Sequence, residues 1–321
     1  MPPAQQGGGS MIVNGNALHI PLADGTIQTC VTSPPYYGLR DYGVGEQIGL
    51  EETPEQYIDK LVRVFREVRR VLRDDGTLWV NMGDSYYNYR PGGVSQTQQT
   101  LAKHQGAVVS SSGKRNNKFN GVKEKDLLGI PWMLAFALRA DGWYLRSDII
   151  WAKPNPMPES VRDRPTKAHE YIFLLSKQAR YYYDADAIAE PLADATITRN
   201  LYPHHGSKNQ AGQYAVSRDR QPGEFGNAER GRNKRSVWEV TTKPYSGAHF
   251  ATFPPDLIEP CILAGSREGD VVLDPFSGSG TTGEVAIQHR RKYFGIELNM
   301  KYIALSRERT TTDVMLPMMA K

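Results

Sequence analysis

Ser33-Pro34-Pro35-Tyr36 places a hydroxyl, main-chain carbonyls and an aromatic face side by side. Proline has no N–H and holds φ near −65°, so a strand over residues 28–32 cannot continue through the pair, and the carbonyls there have no local donors. Alone, the tetrapeptide also fits a proline-rich loop without a ligand. Far downstream, Asp274-Pro275-Phe276-Ser277-Gly278-Ser279-Gly280-Thr281-Thr282-Gly283 follows a short apolar strand at Val271-Val272-Leu273 and precedes a helix over residues 284–289, so its glycines fall at a strand-to-helix turn. Glycine tolerates positive φ and lets a ligand approach the main chain. In an open α/β sheet such a turn lies beyond the carboxyl ends of the strands, where ligands bind. Lys292-Tyr293-Phe294-Gly295-Ile296-Glu297 is a further apolar strand, ending in a carboxylate where an acid commonly binds ribose hydroxyls. A lone Gly-x-Gly turn is weak evidence, but two such strand ends, one helix apart, point to a nucleoside cofactor.

The elements that must position these groups are legible in outline. Residues 12–32 read as two strands around a turn at Ala23-Asp24-Gly25. Thr53-Pro54-Glu55 reads as a helix start, and Tyr57, Leu61, Val64, Phe65, Val68 and Leu72 follow at helical spacing up to Asp75-Gly76. Residues 77–82 form the next strand, closed by Gly83-Asp84 at the ligand edge. A helix over 126–140, strands over 143–153 and 170–176, a return to the core at 236–240 and a helix over 256–264 complete the pattern.

The chain of 321 residues is 39% hydrophobic and 23% charged, ordinary for a soluble globular protein. Its most apolar run, 127–138, is broken by Pro131 and too short to span a bilayer. Cys30 and Cys261 sit in apolar surroundings and read as small hydrophobes, and a cytoplasmic protein is expected. No Cys/His cluster with ligand spacing accompanies His169, so no metal is expected. The net charge of +4 is unevenly spread: residues 85–125 carry seven Lys/Arg against one acid, and 196–236 carry eight against three. Two basic, polar insertions fit contacts with a polyanion, or solvated surface.

Together, Ser33-Pro34-Pro35-Tyr36 and Asp274-Pro275-Phe276-Ser277-Gly278-Ser279-Gly280-Thr281-Thr282 resemble the catalytic and cofactor motifs of the amino-group DNA methyltransferases that use S-adenosylmethionine. The catalytic motif standing first is similar to that family's permuted β group, and the likeness covers most of residues 12–310. It implies a Rossmann-like class I methyltransferase, an α/β fold with a mostly parallel twisted sheet, helices on both faces and one antiparallel strand, plus a target-recognition insertion. Composition reads residues 1–11 as a leader or tag, disordered, and 85–125 as a basic mobile loop closing over DNA or as simple disorder; the resemblance implies the catalytic part of the core over 12–84 and 126–177, target recognition over 178–236 and the cofactor-binding part over 237–310, with a tail over 311–321.

By this resemblance Ser33, Pro34, Pro35 and Tyr36 are catalytic. Phe250, Thr252, Phe253, Asp274, Pro275, Phe276, Ser277, Gly278, Gly280, Thr281, Thr282 and Glu297 bind S-adenosylmethionine. Tyr37, Arg40, Lys114, Arg115, Lys118, Lys153, Arg218, Arg220, Arg230 and Arg232 are candidates for DNA, Arg40 fitting a local pair with Asp41 equally well. Where the family often has Gly-Asp, this chain has Gly15-Asn16, so the charge is missing. Trp151-Ala152-Lys153-Pro154-Asn155 and His169-Glu170 resemble a motif that shapes the target-base pocket. An exocyclic amine is a poor nucleophile, its lone pair delocalised into the ring, and acceptors at Ser33 and Pro34 would favour the pyramidal nitrogen of the transition state. Tyr36 would stack on a base flipped out of the duplex. Ser at the first motif position goes mainly with cytosine N4, leaving adenine N6 as the rival and, ranked lower because both motifs are intact, a non-catalytic DNA-binding protein on the same scaffold. Partners are then double-stranded DNA and, out of contact, a cognate restriction endonuclease, with monomer and homodimer both open.

Overall fold

The computed structural model describes residues 9–39, 41, 43–87, 121–192, 231–242 and 253–315, without the side chains of 311–315. Eight strands, β1 (Ser10–Asn14), β2 (Ile27–Thr32), β3 (Leu72–Met82), β4 (Tyr144–Ala152), β5 (His169–Ser176), β6 (Val237–Glu239), β7 (Val271–Asp274) and β8 (Lys292–Glu297), form one sheet in the order β1-β8-β7-β2-β3-β5-β4-β6. Every pairing is parallel except those made by β5, which runs against both β3 and β4. All six residues of β2 are buried, as a central strand covered on both faces requires. The helices are α1 (Pro54–Val71), α2 (Ile130–Ala140), α3 (Pro255–Gly265), α4 (Thr281–Gln288) and α5 (Met300–Met315). α1 packs on α2, while α4 packs on both α3 and α5. Cys30 and Cys261 are buried free thiols, and among the described residues no helix is long and apolar enough to cross a membrane.

α1 starts as its sequence dictates: the Thr53 hydroxyl accepts from Gln56 N at 3.2 Å and Pro54 occupies the first turn. The apolar positions read at helical spacing are all fully buried. The helix stops earlier than its periodicity suggests, because Leu72 turns to extended backbone and pairs with Ile27 at the start of β3. α2 starts later than expected. Residues 126–128 instead bond to residues 85–87, Tyr87 N to Asp126 O and Leu128 N to Ser85 O. The buried Asp84 carboxylate, just past β3, then accepts from Gly129 N and Ile130 N and caps the helix. At the other end of the chain, β1 takes in Ser10 and Met11, paired with Tyr293 and Phe294, which the sequence reading assigns to the leader.

Residues Asp184–Arg235 form a second compact unit. Among its described residues, Glu190 and Arg232 make an antiparallel bridge, and the Glu190 carboxylate binds both Arg232 and Arg235. Residues 88–120 and 193–230, which hold most of the basic positions counted above, lie outside the described residues.

Candidate active site

The serine-proline corner and the glycine turn are neighbours because β2 and β7 are neighbours, with Thr29 opposite Val272 and Cys30 opposite Leu273. Strand order reverses here: β8 and β1 lie beyond β7, and β3 lies beyond β2. Ligands of open α/β sheets bind at such a switch point, outside the carboxyl ends. Buried side chains tie the two ends together. The Thr32 hydroxyl donates to Asp274 Oδ1 at 2.6 Å, and Thr282 Oγ1 donates to Asp274 Oδ2 at 2.8 Å. Phe276 N also donates to Asp274 Oδ1. Ser33, which follows Thr32, and Pro275 to Ser279, which follow Asp274, therefore line one cleft, with a cavity volume of about 180 Å³.

Asp274 is fully buried, and desolvation pushes its carboxyl up to about 6 against the three hydrogen bonds that favour the charged form. The unfolded carboxyl titrates near 3.8, so below that value the group costs the fold nothing, and stability is lost as pH rises from about 4 through about 6, by about 3 kcal/mol in all. Asp274→Asn, which cannot ionise, lacks this component. In urea unfolding at about pH 4 and about pH 7, its stability relative to wild type should rise by about 3 kcal/mol across the interval.

Glu297, at the end of β8, accepts from Gly278 N at 2.8 Å with one oxygen and from Asn299 N at 2.8 Å with the other. Burial pushes its carboxyl up from the ordinary value. The Leu298 N–H also favours its charged form, and with about four lone-pair sites on a carboxylate, acceptor capacity remains for a further hydroxyl. Gly278 has φ +52°, and a Cβ built on it meets nothing closer than Phe276 O at 3.8 Å, which leaves the main chain open to a ligand. Ile48, Phe276, Ile296 and Leu298 supply apolar wall, and the cleft's described lining includes Glu46, Asp274 and Glu297 but no Lys, Arg or His. A nucleoside carrying a sulfonium fits this described lining.

The structure brings together Ser33, Pro34, Pro35, Tyr36, Phe253, Asp274, Pro275, Phe276, Ser277, Gly278, Thr281 and Glu297 on this cleft. Gly280 and Thr282 stand behind it, shaping the turn, and the Asp274 carboxylate faces inward to its threonines. The Pro35 carbonyl is taken by the Tyr57 hydroxyl at 2.8 Å. No hydrogen bond among the described residues takes up the Pro34 carbonyl. Arg40, Lys114, Arg115, Lys118, Arg218, Arg220, Arg230, Phe250 and Thr252 lie outside the described residues.

Three positions expected at DNA have partners within the protein. Tyr37 is 4% exposed, packs on Tyr57 and donates to Glu52 O, so it belongs to the core. Lys153 is paired with Glu170 and lies over the Trp151 ring. Arg232 is bound to Glu190. Side-chain type alone could not show this, since each residue's direction is set by which strand end or turn it occupies.

Sequence reading also missed contributors. Glu46, Gln47 and Ile48 line the cleft from the loop after Tyr37, and Asn299 and Tyr302 line it from beyond Glu297. Asn16 lines it too, its amide nitrogen donating to Glu46 Oε2 at 3.1 Å. The signal available in the sequence was the mixed polar and aromatic loop after Gly38. Behind the corner, the Tyr36 hydroxyl donates to Glu170 Oε2 at 2.6 Å, and burial, with the Glu170 charge second, holds the phenol well above its ordinary value. Gly83 makes this seat: an added Cβ would stand 2.6 Å from Tyr36 Cε2. Gly83→Ala is expected to displace the Tyr36 ring and to destabilise the fold by about 1–3 kcal/mol, checked by denaturant unfolding.

Comparison with known proteins gives the family of this chain. A family described as DNA methylase, of the N6/N4 type, matches residues 27–308. Type II methyltransferase M.Cfr9I of Citrobacter freundii is 47% identical over 300 residues, 93% of this chain and 86% of that protein. Type II methyltransferase M.SmaI of Serratia marcescens is 49% identical over 287 residues, 89% of this chain and 85% of that protein. Among solved structures, PvuII DNA methyltransferase (cytosine-N4-specific) superposes with a TM-score of 0.61 at 18% identity, covering 94% of this chain and 86% of that one. A putative DNA modification methylase of Thermus thermophilus, complexed with S-adenosyl-L-methionine, gives 0.58 at 22% identity, covering 94% and 93%. At these identities the solved structures bear on the fold alone. With nearly the whole sheet inside the matched span and the two motifs facing one cleft, the chain belongs to the N6/N4 DNA methylase family.

Proposed function

We propose that this protein is a Type II DNA methyltransferase that transfers a methyl group from S-adenosylmethionine to the exocyclic N4 amine of a cytosine flipped out of duplex DNA. The observation that carries the reading is the shared cleft: the Ser33 to Tyr36 corner and the glycine turn line one cavity whose described lining is acidic and apolar. Bound there, the cofactor supplies an electrophilic methyl on a sulfonium. The chain's own groups do the rest. Glu297 offers its remaining acceptor capacity to the ribose, and the turn at Gly278 gives the methionine portion access to the main chain. The Ser33 hydroxyl and the unclaimed Pro34 carbonyl accept from the amine, favouring a nitrogen whose lone pair points at the methyl. Tyr36 stacks on the base, worth about 1–3 kcal/mol, which offsets much of an unstacking cost of a few kcal/mol.

Serine at the first motif position supports cytosine N4 over adenine N6. The relatives named as Type II methyltransferases support a cytoplasmic modification enzyme working beside a restriction endonuclease, and the basic residues of 85–125 and 196–236 support contact with the phosphate backbone. The test is to incubate DNA with the purified protein and cofactor, identify the digested nucleosides by mass spectrometry, and map modified positions by single-molecule sequencing. N4-methylcytosine at a defined sequence is expected. N6-methyladenine would overturn the base assignment, and unmodified DNA would overturn the activity.

A further inference from the structure

The sheet has one reversed strand, and it delivers charge to the active edge. Because β5 runs against its neighbours, it begins where they end, so His169 and Glu170 stand opposite Ala152 and Trp151 of β4 while Tyr171 stands opposite Met82 of β3. Three donors from three different segments converge on the Glu170 carboxylate. The Lys153 ammonium pairs with Oε1, while the Tyr36 hydroxyl at 2.6 Å and Asn81 Nδ2 at 3.3 Å share Oε2. Asn81 is itself held by Tyr171 O at 3.2 Å, and its Oδ1 faces the Tyr36 hydroxyl at 3.3 Å. Lys153 and Glu170 side chains are only 17% and 15% exposed. A carboxylate so far removed from water requires a counter-ion, and Lys153 provides it.

We infer that Glu170 is a positioning residue for methyl transfer, fixing the ring of Tyr36 through its hydroxyl, and that Lys153 serves as the counter-ion of Glu170 and not as a contact to DNA. The inference rests on the functional reading above and adds to it. A tyrosine at the rim of a cleft has two side-chain torsions free to wander. A charge-assisted bond at the far end of the ring, with bare Gly83 beneath its edge, leaves it one place to stand. The same ring lines the cleft beside Ser33, so its placement bears on where a stacked base presents its amine.

The test uses the full chain, with Tyr36→Phe, Glu170→Gln, their double variant and Lys153→Met. Single-turnover methyl transfer, the calorimetric Kd for S-adenosylmethionine, and DNA affinity over a range of salt are measured. Tyr36→Phe and Glu170→Gln should each slow transfer by about 10-fold to 100-fold, the loss of one charge-assisted bond. Cofactor Kd should change less than about twofold, and the double variant should be no slower than the worse single one, since both remove the same link. Lys153→Met should slow transfer while leaving the salt dependence of DNA binding unaltered, whereas loss of a phosphate contact would lower its slope by about one. Near-wild-type transfer in both single variants, additive losses in the double, or a reduced slope for Lys153→Met would each overturn the inference. Should Glu170→Gln fail to fold, Tyr36→Phe, which deletes one oxygen, decides alone. A wild-type protein that leaves DNA unmodified would overturn the functional reading itself, and the inference with it.

Discussion

Ser33→Ala is expected to slow methyl transfer by about 10²-fold to 10³-fold, the range found when one preorganised hydrogen-bonding group is removed from the place where charge develops. Cofactor affinity should stay within about threefold, because Ser33 sits at the end of β2 while the groups that fit the cofactor's ribose and methionine portion follow β7 and β8. Glu297→Ala should show the opposite balance. It removes the carboxylate proposed to accept from the ribose and also frees Gly278 N and Asn299 N, two donors that hold the turn, so cofactor Kd should rise by roughly tenfold to 100-fold, corresponding to one or two hydrogen bonds to a charged group. Single-turnover rates and calorimetric Kd values measured on both variants separate the roles. Equal loss of cofactor affinity in the two would contradict the division of labour.

The second large effect divides two glycines that look alike in the sequence. Gly280 has φ +82°, and a Cβ placed on it would stand 2.3 Å from Ser306 Oγ and 3.0 Å from Ser306 Cα. Ser306 is fully buried on α5 and bonded to Ser277, so it has nowhere to retreat. Gly280→Ala therefore combines a left-handed backbone with an overpacked core and should destabilise the protein by about 2–4 kcal/mol. Gly278, at φ +52°, faces open space. Gly278→Ala should cost the fold only about 1–2 kcal/mol, while its methyl group occupies the cleft and raises cofactor Kd by roughly tenfold. Denaturant unfolding and calorimetry on the pair should give opposite rankings. One ranking for both measurements would mean that the two glycines do the same job.

Much of the scaffold is legible in the sequence because it depends on local rules. Thr53 and Pro54 start a helix wherever they precede an amphipathic run, and the apolar strands at 27–32, 271–274 and 292–297 lie where their β-branched and aromatic residues place them. The start of α2 is misread because its cap, Asp84, comes from the far side of a long insertion. The site is legible in its motif residues and illegible in their surroundings. Lys153 reads as a candidate for DNA until β5 brings Glu170 against it, and Tyr37 reads as another until the turn after Tyr36 drives it onto Tyr57.

The order of residues by itself determined which groups exist to do chemistry: a hydroxyl beside two prolines, a glycine turn after one strand and a carboxylate after the next. Tertiary structure alone decided which of them face the cleft, which glycine is pressed against a buried neighbour and which faces open space, and which charges already have a partner. The reason is that direction and partner are properties of neighbouring strands, and β2 and β7, which hold the two motifs, meet only after some 240 intervening residues have folded away from between them.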